Sequence, residues 1–230
     1  MKQKSDKKKI FEGRCLGEGS DYIGFIKANE AKSIGTSCMI YDPIDGRTVD
    51  VLSMGEKEFF YIMRFRDDVK TIREQMRMDS ETVRNICTEH GFRIPRNVLT
   101  TDFLITFRDG KSTAYSIKAG MKEFDPKSPG YEKLLIRQYI ELEYWKRYNT
   151  DFRIVLRERL NRTFAINIEH CLSYYDPARV ADEESMLKCL VAHKVVKIPM
   201  EKEIVRYASL AKGHETEIRT LYERWLKNGK

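Results

Sequence analysis

Apolar and polar residues alternate through TDFLITFRDGKSTAYSIK, residues 101 to 118, on either side of the turn-forming pair Asp109-Gly110. The alternation predicts a β-hairpin, and the way its loop closes decides which side chains share a face. A two-residue turn at Asp109-Gly110 sets Asp102 opposite Ile117 and mixes apolar with polar on both faces. A three-residue loop, Asp109-Gly110-Lys111, sets Asp102 opposite Lys118 and Phe103 opposite Ile117 instead. One face then gathers Phe103, Ile105, Phe107, Tyr115 and Ile117. The other presents Asp102, Ser116 and Lys118 together.

Around this hairpin the pattern changes period. The run SMGEKEFFYIMRF predicts a helix after Ser53, with Ser53 at the N-cap, Glu56 three residues later, and Phe59, Phe60 and Met63 on the apolar side. Extended VKTIREQM follows, then a short helix in DSETVRNICTEHG that stops at Gly91. A longer helix is predicted from near Ser128, with Pro129 in its first turn. Leu134, Leu135, Tyr139, Leu142 and Trp145 recur along it at helical spacing, and the strand FRIVL comes after. Residues 10 to 50 read as irregular, with strand-like SCMIYD and TVDVLS around the turn PIDG. From about residue 167 the texture becomes helical: DEESMLKCLVAHK, then MEKEIVRYASLAKG after Pro199, then ETEIRTLYERWLKN.

The order helix, hairpin, helix, strand describes an α/β layer with a mixed sheet rather than a bundle. Three segments are expected: a basic disordered tail at 1–9, an α/β domain at 10–166, and a small helical domain at 167–230. The last helices suit a helix-turn-helix or winged-helix-like arrangement touching DNA, or a protein-docking domain.

Composition narrows the function classes. Lys and Arg number 42 against 35 Asp and Glu, a net charge of +7, which favours a polyanionic partner. The five cysteines, at 15, 38, 87, 171 and 189, form no CxxC pair, and the four histidines match no zinc spacing. Scattered thiols suit a reducing cytoplasm better than a disulfide framework. No apolar run reaches the length of a membrane span, and the basic N-terminus leads into FEGRCLGEGS rather than a signal-peptide core. There is no GxxxxGK[ST] loop, so ATP is not expected as its fuel.

The candidate chemistry lies in carboxylates near the hairpin. Glu56 falls on the side of its helix that meets the core, although the capping box with Ser53 explains it equally well. Glu141 sits on or beside a buried stripe, where an unpaired charge is costly, and an ion pair with Lys118 or a metal would account for it. On the hairpin alone, an Asp102–Lys118 ion pair serves as well as a site. Together, carboxylates and a lysine suit phosphodiester hydrolysis, in which hard Mg²⁺ or Mn²⁺ neutralises phosphate charge and the ammonium positions a water. Asp on one strand with (D/E)xK on the next is the layout of restriction-endonuclease-like nucleases, but Ser116 stands where an acidic ligand is common.

The series EGRCLGEGSDYI, LSMGE, IREQ, TTDFL, SIK and ELEYW, over residues 11 to about 166, resembles the TnsA family. These are the endonuclease subunits of heteromeric transposases in Tn-seven-type transposons. The resemblance implies a restriction-endonuclease-like, PD-(D/E)xK fold that cleaves the 5′ ends of the element with Mg²⁺. It also implies a partner TnsB-type transposase for the 3′ ends and a TnsC-type AAA+ regulator contacted through the C-terminal region. By motif, the catalytic residues fall on Glu56, Asp102, Lys118 and Glu141. Metal ligation falls on Glu56 and Asp102, with Ser116 and Ile117 at the departing position, where relatives can have glutamine. Ser116 holding a water, the Ile117 carbonyl as ligand, or Glu141 making up the deficit are the alternatives, of which carbonyl with water is favoured. The expected activity is that of a cytoplasmic, nucleoid-associated transposon-end endonuclease. A stand-alone restriction-like or junction-resolving nuclease and a non-catalytic adaptor are the competing readings.

Overall fold

The computed structural model describes residues 4–31 and 36–228. The chain divides into two compact units, one running to Phe59 and then over Arg66–Leu160, the other made of Phe60–Phe65 and the chain from Asn161. The division after Leu160, rather than after residue 166, follows from a continuous helix at Arg162–Leu172 that was not anticipated. Asn161 starts that helix by accepting the Phe164 N–H at 2.9 Å.

In the first unit, the expected disordered tail instead contributes a helix, α1, Asp6–Phe11; residues 1–3 of that tail lie outside the described residues. Ser5 caps α1, Asp6 accepts the Val98 N–H at 2.8 Å, and Lys9 lies buried over the Phe25 ring. These contacts bury lysine stem and backbone, which a run of charges does not reveal. Strands β1, Cys38–Asp42, and β2, Arg47–Val51, form an antiparallel pair around the PIDG turn, as their pattern indicates.

Helix α2, Met54–Arg64, leads to β3, Val69–Arg77, and α3, Ser80–Glu89, which Asp79 caps. Strands β4, Thr100–Phe107, and β5, Ser112–Lys118, are the hairpin. Helix α4, Tyr131–Arg147, begins three residues later than expected, because Gly130 takes a left-handed φ of +88° between Pro129 and the helix. Strand β6, Asp151–Leu156, completes a mixed sheet of order β3-β4-β5-β6, antiparallel except for the parallel β5–β6 pair.

The hairpin register differs from the expected one by two residues. Phe103 faces Tyr115 and Ile105 faces Thr113. The loop is Arg108-Asp109-Gly110, closed by the Phe107 N–H donating to the Lys111 carbonyl at 2.8 Å, with Gly110 at φ +85°. It keeps three residues, but glycine stands last, because a type I turn followed by a left-handed residue closes such a loop. A shift of two preserves side-chain parity, so the predicted faces survive. Phe103 and Tyr115 pack on Phe59 of α2, at ring-centroid distances of 5.4 and 4.9 Å. The opposite face is buried as well: Leu104 and Ala114 join Val83, Ile86, Ile140 and Trp145 under α3 and α4.

The second unit holds α5, Arg162–Leu172, α6, Glu183–Ala192, α7, Tyr207–Ala211, and α8, Glu215–Asn228. No strand occurs among its described residues, so the wing of a winged-helix arrangement is not seen there. The helix expected from Pro199 is confined to α7. Asn167 of α5 takes the backbone upstream, donating to the Met200 and Glu203 carbonyls, each at 2.8 Å, and accepting the Val205 N–H at 2.9 Å. Groups bound to that amide are lost to a helical ladder.

Candidate active site

The β4–β5 ladder runs from Thr106 opposite Ser112 to Phe103 opposite Tyr115. One step beyond it, a side-chain bond replaces backbone pairing: Asp102 Oδ2 accepts the Ile117 N–H at 2.6 Å. Lys118 Nζ donates to Ser116 Oγ at 2.6 Å and to the Ile117 carbonyl at 3.2 Å, and stands 4.0 Å from Asp102 Oδ2. One positive charge therefore sits among three oxygens that sequence reasoning assigned to a cation. Asp102, Ser116 and Lys118 do share a face, although Asp102 is not directly opposite Lys118.

Glu56 reaches the same place from the first turn of α2. Its N–H donates to Ser53 Oγ at 3.1 Å, which is the N-cap half of the expected capping box, while the carboxylate answers the Ser53 hydroxyl, at 3.0 Å, rather than the Ser53 backbone N–H. Its other oxygen accepts from the Leu52 N–H at 2.9 Å and from Gln75 Nε2 at 3.1 Å. Even so, burial pushes the Glu56 carboxyl up to about 8, with the nearby Asp102 carboxylate as the next cause. Three hydrogen bonds do not offset desolvation beside a second acid.

Gln75 had no role in the sequence beyond its place in IREQ. It lies on β3 between Glu74, opposite Phe103, and Met76, opposite Thr101, which sets it across from Asp102. Its φ is +47°, a left-handed value uncommon for a non-glycine residue. Its amide donates to Glu56 and accepts the Thr100 hydroxyl at 3.2 Å, while its carbonyl accepts the Phe25 N–H. No periodicity signals such a position.

Glu141 of α4 is buried, as its place on the stripe indicates, but its partner is Arg137 rather than Lys118. Arg137 Nε donates to Glu141 Oε1 at 2.6 Å, and the same guanidinium reaches the Thr100 carbonyl. The i,i+4 spacing on one helix was the available signal. Burial raises the Glu141 carboxyl despite Arg137, with Asp102 adding to the rise, and Glu141 Oε2 has no hydrogen-bond partner among the described residues. Arg137→Ala is expected to destabilise the protein by about 3 kcal/mol in urea unfolding, by stranding a buried acid. Adding Glu141→Gln should recover most of that loss; an unchanged midpoint in the single variant would mean that the pair carries no stability.

A pocket of about 450 Å³ opens here, lined by Ser53, Gly55, Glu56, Asp102, Ile117, Lys118, Glu123 and Arg157 among others. Glu123 and Arg157 were not singled out in the sequence. A larger groove of about 600 Å³ over α4 and β6 is lined by Phe92, Leu135, Leu142, Phe152 and similar residues, and it carries no acid or base for hydrolysis.

The donor set fits a hard divalent cation in part. Among the described residues no three acidic, histidine or cysteine side chains converge as a ligand group. Two carboxylates, Asp102 and Glu56, combine instead with the Ile117 carbonyl, while Glu141 keeps an orphaned oxygen nearby. Oxygen donors of this kind suit Mg²⁺ or Mn²⁺ rather than a softer metal. Ser116 is almost fully buried and Lys118 engages its hydroxyl at 2.6 Å, whereas Lys118 meets the Ile117 carbonyl at 3.2 Å and leaves that oxygen a second lone pair, so the backbone carbonyl is the stronger candidate of the two.

Residues 66–157 match a family model described as TnsA-like endonuclease N terminal, a span that includes Asp102, Ser116, Lys118, Glu141 and Arg157 but not Glu56. The chain is also 29% identical over 171 residues to the transposon Tn7 transposition protein TnsA of Escherichia coli, a match covering 70% of this chain and 60% of that protein.

Proposed function

We propose that this TnsA-like protein is a divalent-metal-dependent DNA endonuclease that cleaves the 5′ ends of a transposon. The observation that supports this most is the meeting of Asp102, Lys118, the Ile117 carbonyl and Glu56 around one pocket, six of whose lining residues fall in the matched span. Asp102, Glu56 and the Ile117 carbonyl would hold Mg²⁺, with Mn²⁺ as a substitute. When bound, the cation neutralises charge on the scissile phosphate and acidifies a water.

The chain's own groups supply positioning. Lys118 spends two N–H donors on Ser116 and Ile117 and keeps a third for the attacking water or a phosphate oxygen. Asp102 fixes the strand end through Ile117, so the carbonyl and the ammonium keep their relation. Gln75 and Ser53 orient Glu56 without neutralising it. The net charge of +7 favours approach to DNA.

The reading extends to partners: a TnsB-type transposase for the 3′ ends, and a TnsC-type AAA+ regulator met through the helices after Asn161. Action would be cytoplasmic, at the nucleoid. No helix among the described residues is long and apolar enough to cross a membrane. The test is strand mapping on a transposon-end duplex with Mg²⁺, with and without the partner transposase. Nicks at the 5′ ends that appear only with the partner are expected. Efficient cutting by the chain alone would favour a stand-alone nuclease, and no cutting under either condition would favour an adaptor.

A further inference from the structure

We infer that Arg157 is a phosphate-binding residue of this pocket, its guanidinium contacting the DNA backbone next to the groups gathered at Lys118. The inference rests on the nuclease reading and adds to it a residue to which no motif assigns a role.

Strand pairing delivers Arg157. In the parallel β5–β6 ladder Lys118 lies beside Leu156, so the next residue of the chain emerges at the pocket mouth. Glu58, two residues after Glu56 in α2, then holds the guanidinium in fork geometry, accepting from Arg157 Nε at 3.0 Å and from Nη2 at 2.7 Å. Glu58 is buried, whereas the Arg157 side chain stays 33% exposed. Those two bonds use one edge of the fork. An arginine carries five N–H donors, and Nη1 has no hydrogen-bond partner among the described residues. A guanidinium fixed on one edge and open on the other is prepared for a phosphate oxygen.

Gly55 is a second, independent observation. It occupies the first turn of α2 without a positive φ, so its conformation does not require glycine. A Cβ there would meet Ile117 Cγ2 at 3.1 Å, Arg157 Cβ at 3.2 Å and Arg157 Cδ at 3.3 Å. Glycine costs a helix stability relative to alanine. Here its bareness lets the Arg157 stem lie across the start of α2, beside the residue whose carbonyl joins the candidate cation ligands. The positive end of the α2 dipole and Lys118 favour an anion at the same spot.

A purely structural role, fastening the end of β6 to α2, would use the Glu58 bonds alone. The two roles separate by the charge dependence of DNA binding. The experiment measures recruitment of the full chain to a transposon-end duplex carrying the partner transposase, in Ca²⁺ so that binding is read rather than cutting. Arg157→Gln keeps the stem and an amide for Glu58 while removing the charge. It is expected to weaken recruitment about tenfold and to reduce the salt slope of log K by about 0.9, the share of one phosphate contact. Single methylphosphonate substitutions around the cleavage position should reveal one whose neutralisation weakens wild type but leaves Arg157→Gln unaffected. Arg157→Lys should restore the salt slope without the full affinity. Arg157→Gln with wild-type affinity, slope and methylphosphonate profile would make Arg157 a structural pin and overturn the inference. Wild type that never joins the complex would instead count against the nuclease reading itself.

Discussion

Asp102→Ala should abolish 5′-strand nicking in the presence of Mg²⁺ and the partner transposase, with a rate loss of at least about a thousandfold, or roughly 4 kcal/mol of transition-state stabilisation. Asp102 is the acid that faces the Lys118 ammonium, and it also accepts the Ile117 N–H at 2.6 Å. Its removal therefore acts twice, on charge and on the strand end. Asp102→Asn separates the two effects, because an amide oxygen still accepts the N–H while the carboxylate charge is gone. Both variants should lose nicking. The alanine variant alone should show a modest stability loss, on the order of 1 kcal/mol, from the unmet N–H. Association with the transposase should be unchanged in both. Nicking retained by both would remove Asp102, and the proposed chemistry with it.

In EDTA the protein should lose stability as pH rises from about 4.5 to about 8, and Mg²⁺ should suppress most of that loss. The Glu56 carboxyl has an ordinary value of 4.5 and is raised to about 8 in the folded chain by burial, with Asp102 as the second cause. Between those values the native state holds a proton that the unfolded state releases. Stability is thus fully present below the unfolded value and is lost as pH climbs through the folded one, at up to about 1.4 kcal/mol per pH unit. Glu141, also raised by burial, contributes with the same sign, so Glu56→Gln should flatten the slope without abolishing it. A cation beside Glu56 would favour its ionised form and remove the penalty. Urea midpoints across this range with EDTA and with Mg²⁺ provide the measurement. A flat profile in EDTA would contradict the buried acid, and a slope insensitive to Mg²⁺ would contradict cation binding beside it.

Much of the site was legible because strand alternation carries side-chain parity. Asp102, Ser116 and Lys118 could be assigned to one face from TDFLITFRDGKSTAYSIK even though the loop closes at Arg108-Asp109-Gly110 and the register is displaced by two. Parity survives a slip of two and would not survive a slip of one. Glu56 was legible as a cap and as a core-facing acid, and the structure supports both descriptions. Glu141 was legible as buried but not in its partner, because two basic residues were in reach and only packing separates them. Gln75 and Arg157 were not legible as site residues. One depends on a backbone angle and the other on a parallel strand pairing across more than thirty residues of chain, and neither leaves a local pattern.

Read alone, then, the sequence determined the α/β character, most elements of the first unit, and the face on which an acid and a lysine meet. These follow from periodicity, capping and turn chemistry, each of which acts over a few residues. Only the tertiary structure decided that Asp102 closes the strand end through Ile117, that Arg137 rather than Lys118 answers Glu141, and that Arg157 arrives at the pocket held by Glu58. It also decided that Asn167 takes the backbone after Pro199 out of a helix. Such outcomes depend on which distant groups compete for the same buried hydrogen bond or charge, and that competition is settled when the chain packs.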